Sequence, residues 1–248
     1  MVRFGSAMSD TNIQERLSVI QERILVAAKR AGRRPEDVTL IAVSKTHSAE
    51  AIRTAFALGV RHFGENRVQE WEGKRVAIQD VPGAWHLIGH LQRNKAAKAA
   101  RVFHAVDSVD DLALAQRLDR ARAEIASERK LRVLIEVRVA SEETKSGIER
   151  EKLPELAEQT DTLKNLDLQG LMCIPPYLDD VEKVRPYFRA LRVLKEDLER
   201  RLQKALPVLS MGMSHDFDVA IEEGATEVRV GTALFGLRTY PASEVSEP

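Results

Sequence analysis

The sequence predicts an α/β fold, a single modified (β/α)8 barrel of the TIM type with one extra N-terminal helix in front of it. Three observations predict this. Eight short apolar, β-branched runs recur along the 248 residues, segments with helical spacing lie between them, and no obvious linker interrupts the alternation.

Taken in order, residues 1–8 are expected to be a short disordered lead. The segment 11–31 is amphipathic and is closed by Gly32 and then Pro35, which end a helix. The first strand run, 38–44, carries Leu40-Ile41-Ala42-Val43 and passes through Ser44 straight into Lys45. A helical segment over 49–58 closes at Gly59, and strand runs follow at 61–64, 85–89 and 102–106. Helical spacing over 109–125 leads to a strand at 132–139, and a helix over 153–160 leads to a strand at 168–174. A long helical segment, 181–206, precedes the strand 208–211; a helix over 217–223, closed by Gly224, precedes the last strand, 227–231. The barrel is therefore expected over 9–240, with a C-terminal tail over 241–248. The rival fold is a doubly wound open sheet, which usually has fewer strands and often carries a glycine fingerprint after the first one. Here the first strand ends in SKTH, and neither GxGxxG nor GxxxxGK occurs.

Composition narrows the partners. The 38 Lys and Arg balance 38 Asp and Glu, so no global positive field points to nucleic acid or an anionic membrane. A single cysteine, Cys173, rules out an intramolecular disulfide framework and fits a reducing compartment. MVRFGSAMSD contains no apolar h-region, and no stretch is long and apolar enough to span a bilayer, so a soluble, cytoplasmic protein is expected. The basic stretch Arg93, Lys95, Lys98 and Arg101 lacks interleaved aromatics and reads as a solvated helix face. Cys173, inside the apolar run LMCI, reads as a buried, inert thiol. His86 and His90 suggest a metal, but no carboxylate or cysteine partner accompanies them in the sequence, and no metal is expected.

Active sites of such barrels lie at the C-terminal ends of the strands, so the residues to inspect are those just after each run. Lys45 is the most informative. A lysine at a strand end with apolar walls behind it is partly desolvated, which favours the neutral amine needed to form a Schiff base. Asn66 follows the second strand, and Lys145, in ETKSG, follows the fifth. The end of the seventh strand and the residues after it give Ser210, Met211 and Ser214, and the end of the eighth and the residue after it give Arg229, Gly231 and Thr232. The last two groups have the small residues and hydroxyls of a phosphate cradle, in the loops where barrels commonly bind phosphate. Ser108 and Ser214 also stand where they could cap following helices. An aldehyde-capturing lysine and a phosphate cradle at one barrel mouth suggest pyridoxal 5′-phosphate (PLP), with Arg229 facing the pyridine nitrogen.

The stretches AVSKTHSAEAI, HFGENRVQE, WHLIGHLQRNK, TKSGI, GLMCIPP, SMGMSHDFDVAIEEGAT and VRVGTALFG occur in this order, from about Thr39 to Arg238. Together they resemble the YggS/PROSC family of PLP-binding homeostasis proteins. The resemblance implies a modified barrel related to the N-terminal domain of alanine racemase, with PLP bound as an internal aldimine to Lys45. It further implies that Ser210, Ser214, Gly231 and Thr232 hold the phosphate, that Arg229 meets the pyridine nitrogen, and that Asn66 and Met211 line the ring. The chain departs from the family pattern at Arg138, where many members have Asn or a similar small polar residue. Two functional classes then compete. A carrier or buffer would hold PLP, act in its intracellular homeostasis and supply PLP-dependent apoenzymes, as a monomer. A PLP-dependent amino-acid racemase would need a second acid–base group opposite Lys45; none of Tyr177, Tyr187 and Tyr240 lies in a motif that marks it as that base. The carrier is the expected function. A binding module for a partner protein is a third possibility, with nothing in the sequence to name the partner.

Overall fold

The structure is a computed structural model that describes residues 5–125, 129–140 and 146–236, with side chains from residue 12 onward. Eight parallel strands close into a barrel in sequence order: β1 (Thr39–Val43), β2 (His62–Glu65), β3 (Ala84–Leu87), β4 (Ala105–Val109), β5 (Leu131–Glu136), β6 (Leu166–Met172), β7 (Val208–Met213) and β8 (Glu227–Val230). The expected fold class is the observed one. Closure is made by β1 and β8, which pair from Thr39 with Glu227 to Ala42 with Val230.

Around the barrel lie α1 (Gly5–Arg30), α2 (Ala49–Ala57), α3 (Val68–Arg75), α4 (Ala96–Val102), α5 (Leu112–Ala123), α6 (Leu153–Asp161), α7 (Arg185–Leu202), α8 (Phe217–Glu222) and α9 (Thr232–Phe235). None is long and apolar enough to cross a membrane. The extra helix α1 buries Ile13, Leu17, Ile20, Ile24 and Ala27, one stripe at helical spacing, and packs on α8, α9 and α2. Residues 5–8, read in the sequence as part of a disordered lead, are the opening turns of α1. Residues 1–4, Lys145, Tyr240 and the tail 241–248 lie outside the described residues.

Three boundaries differ from the sequence reading for physical reasons. Val102 ends α4, and the strand run read over 102–106 mixes that helix end with the start of β4. The long segment 181–206 is a 3-10 turn (Val181–Lys183) followed by α7, which stops where Gln203 takes a left-handed φ of 51°. Strand five ends at Glu136, three residues before the apolar run does.

The apolar core is divided unequally. Among the described residues one large buried cluster joins strands to helices, and a second, small one consists of Leu134, Met172 and Val208 on β5, β6 and β7. Much of the remaining interior is polar. Toward the strands' N-terminal ends His62, His86, Asp107, Arg132 and Glu227 join across it, with Arg132 Nη2 donating to Glu227 at 2.6 Å and His86 Nδ1 at 3.1 Å from Asp107. The C-terminal ends carry a cavity.

Candidate functional site

The cavity, of about 590 Å³, brings together Lys45, Asn66, Ser214, Arg229, Gly231 and Thr232. All are residues singled out in the sequence. Each strand delivers its residue because the chain leaves the barrel there: Lys45 follows β1, Asn66 follows β2, Ser214 follows β7, and Gly231 links the end of β8 to the start of α9. Asn66 is held by a close backbone approach, since a Cβ at Gly89 would lie 2.5 Å from its carbonyl oxygen. A side chain at Gly231 would crowd Val43 at 3.3 Å, which keeps the strand-eight end of the cavity open for backbone contact.

Lys45 occupies the second position of a tight turn closed by His47 N–H donating to Ser44 O at 3.1 Å. Thr46 in that turn has φ of 65°, a left-handed conformation rare for a β-branched residue. The Ser44 hydroxyl donates to Glu65 at 2.7 Å, and Lys74 from α3 donates to Ser44 O at 2.8 Å.

Arg229 is 3 % exposed and forks onto two acceptors, with Nη1 donating to Ser210 Oγ at 2.7 Å and Nη2 to Cys173 O at 2.8 Å. Ser210 therefore stands behind the guanidinium. Its side chain is fully buried, its hydroxyl accepts from Arg229, and it is absent from the cavity lining. Met211 also lies away from the cavity lining. It is buried in the shell between strands and helices, and Met213 lines the cavity in its place. The cause is a bulge: between Ser210 paired with Glu227 and Met213 paired with Arg229, β7 spends three steps against two on β8. Gly212 sits in that bulge with φ of 92°.

Ser214 does not cap the helix it precedes in sequence. Its hydroxyl accepts from Ala233 N–H at 3.2 Å, in the first turn of α9, which places it beside Gly231 and Thr232. Ser108 is not a cap either: it lies in β4 and donates to Gly89 O at 2.7 Å, while Asp111 caps α5 by accepting from Leu114 N–H at 2.7 Å. Cys173 is fully buried, and burial pushes its thiol up to about 12 against the opposing pull of Arg229.

Glu136 is a cavity residue that sequence reasoning missed. It is 3 % exposed, and burial pushes its carboxyl up to about 7, with Arg229 pulling it down and Asp110 adding to the rise. Its signal was obscured because strand five was read to 139, leaving Glu136 in mid-strand. Arg138, the departure from the family pattern, donates to Gly147 O at 3.3 Å and is not part of this cavity.

His86 does have carboxylate partners, contrary to the sequence reading. His86, Asp107 and Glu227 place ligating atoms within 4.8 Å of one another, the one such group among the described residues. Arg132 lies 2.6 Å from Glu227 and 3.9 Å from Asp107, so a cationic side chain already stands where a metal would bring positive charge. His90 is remote from that group in role, pairing with Asp110 at 3.2 Å. The basic stretch is a solvated face: Arg93 pairs with Asp111, Lys98 with Glu72 and Arg101 with Glu124, all on the surface.

Residues 16–239 match the family model described as alanine racemase, N-terminal domain. A pyridoxal phosphate homeostasis protein from Aquifex aeolicus is 49 % identical over 231 residues, which cover 92 % of this chain and 100 % of the relative. PipY from Synechococcus elongatus PCC7942, solved with PLP bound, superposes with a TM-score of 0.80 at 40 % identity and covers 90 % of this chain and 100 % of its own. Alanine racemase from Corynebacterium glutamicum, at 19 % identity and a TM-score of 0.66, shares the barrel, which covers 89 % of this chain and 62 % of the racemase. With near-complete mutual coverage and close to half of all positions identical, the chain belongs to the family of pyridoxal phosphate homeostasis proteins.

Proposed function

We propose that this protein binds PLP in the cavity at the C-terminal mouth of the barrel, holds it through Lys45, and serves PLP homeostasis. The observation that carries this reading is the convergence of an amine, a buried guanidinium and a small-residue hydroxyl cradle on one cavity, in a chain whose relatives bear that name. The residues fit the ligand's three functional parts. Ser214, Thr232 and the Gly231 backbone would receive the phosphate, Asn66 and Met213 would flank the ring, and Arg229 would face the pyridine nitrogen. Arginine stays charged and donates hydrogen bonds without surrendering a proton, so the ring nitrogen would remain unprotonated and a weaker electron sink. That arrangement favours holding over turnover.

The covalent step is reversible. The Lys45 amine adds to the aldehyde carbon and one water leaves, forming a carbon–nitrogen double bond; an incoming amine or water reverses it. Reversible capture at an open mouth suits a protein that acts in the cytoplasm as a monomer and releases PLP to apoenzymes.

The test is an absorption titration of the purified protein with PLP, followed by borohydride reduction and peptide mass mapping, on wild type and Lys45→Ala. The expected result is a visible band fixed by reduction onto the Lys45 peptide and absent from the variant. No band, or an adduct scattered over surface lysines, defeats the reading.

A further inference from the structure

We propose that Lys74 is a positioning residue for Lys45: it ties the Ser44–His47 turn to α3 and thereby holds the Lys45 amine at the cavity. This rests on the reading of Lys45 as the attachment amine.

The turn does not hold itself. Thr46 keeps φ of 65°, and a β-branched residue persists in that conformation only where its surroundings over-determine it. The surroundings here are α3 and the end of β2. Thr46 N–H donates to Glu70 Oε1. Lys74 Nζ donates to Glu70 Oε1 at 2.9 Å, to Glu65 Oε1 at 3.1 Å and to Ser44 O at 2.8 Å, using its three protons on three acceptors. Ser44 Oγ donates to that same Glu65 oxygen at 2.7 Å. The residues immediately before and after Lys45 are thus both anchored to one ammonium, directly or through a carboxylate.

The anchor is rigid. Glu70 and Lys74 are four apart on α3, which is seated by buried Val68 and Trp71, and the Lys74 side chain is only 16 % exposed beside a Glu65 side chain at 0 %. Burial pushes the Glu65 carboxyl up while Lys74 and the Ser44 hydroxyl oppose it; burial also acts on Glu70, but Thr46 N–H and Lys74 hold it below its ordinary value. Without Lys74, Ser44 O loses a donor and the two carboxylates lose the cation between them.

The experiment compares full-length wild type, Lys74→Met and Glu70→Ala by three readouts. The first is the rate of PLP capture followed by absorbance. The second is affinity for 4′-deoxypyridoxine 5′-phosphate, which lacks the aldehyde and reports the non-covalent site alone. The third is acetylation of Lys45 by limiting acetic anhydride in the ligand-free protein, mapped by peptide mass. Lys74→Met is expected to slow capture at least about tenfold and to reduce Lys45 acetylation, with analogue affinity unchanged, because small misplacements of a reacting group cost orders of magnitude in rate. Glu70→Ala, which leaves the Lys74–Glu65 pair intact, is expected to slow capture about threefold and decides the matter if Lys74→Met does not fold. Wild-type capture and acetylation in a folded variant overturn the positioning role. A wild type that forms no Lys45 adduct instead defeats the PLP reading, so the two failures are distinct.

Discussion

Glu136 and Arg229 face the same cavity, and their charges are handled differently. Arg229 directs two donors at fixed acceptors, whereas the Glu136 carboxyl is pushed up to about 7 by burial, so it holds its proton through mildly acidic pH. Between its ordinary 4.5 and about 7 the unfolded chain has released that proton while the folded chain keeps it. The contribution to stability is therefore complete below pH 4.5 and is lost as pH rises toward 7. Glu136→Gln cannot ionise, so its stability relative to wild type should rise by about 3 kcal/mol across that window and then level off. Urea unfolding of both proteins at pH 5 and pH 8 measures this; an equal difference at both values would show that Glu136 titrates normally. Lys45, by contrast, was legible in sequence, because an apolar run that stops abruptly at a lysine marks a strand end without any knowledge of neighbours.

The element that decides the site's geometry is the end of β7. Strand alternation alone would put Met211 and Met213 on the same face, yet the former packs against the helices and the latter lines the cavity. The bulge at Gly212 breaks the alternation, and no local pattern in SMGMS announces it, which is why the sequence singles out Ser214 correctly as a cavity residue but Met211 where Met213 lines the cavity. Only glycine fits there: φ is 92°, and a Cβ would lie 2.6 Å from Ala220 Cβ and 2.9 Å from Phe217 Cα. Gly212→Ala should therefore destabilise the protein by roughly 2 kcal/mol, or about 4–8 °C in Tm for a chain of this size. It should weaken PLP binding further by displacing Ser214. Thermal unfolding with and without PLP tests both; an unchanged Tm would mean that the turn is looser than its contacts imply. The α9 contact of Ser214 was equally hidden, since Ala233 lies 19 residues further on.

Across the whole molecule, the barrel separates two tasks along its axis. The order of strands could be read from alternation, because each run and each helix announces itself locally. The polar interior could not: Arg132 and Glu227 are 95 residues apart, and only closure of β8 onto β1 brings them together. At that end burial pushes Glu227 up, Asp107 adds to the rise and Arg132 opposes both, while burial, His86 and Arg132 push His62 down to about 4 and keep it neutral. Arg132 is the shared counter-charge for two buried carboxylates, so Arg132→Met removes one partner and leaves the others stranded. Such a loss costs roughly 3–5 kcal/mol, or on the order of 10 °C in Tm. The sign with pH follows from Glu227: without Arg132 its carboxyl rises further, so the variant recovers part of its stability when that group is protonated and loses most at alkaline pH. Denaturant unfolding at pH 5 and pH 8 should therefore show a larger deficit at pH 8. PLP affinity of the folded variant should stay at the wild-type level, because Lys45, Ser214 and Arg229 stand at the other end of the strands. A variant that keeps its stability but loses PLP would place Arg132 in the binding machinery and would remove the division between a stabilising floor and a binding mouth.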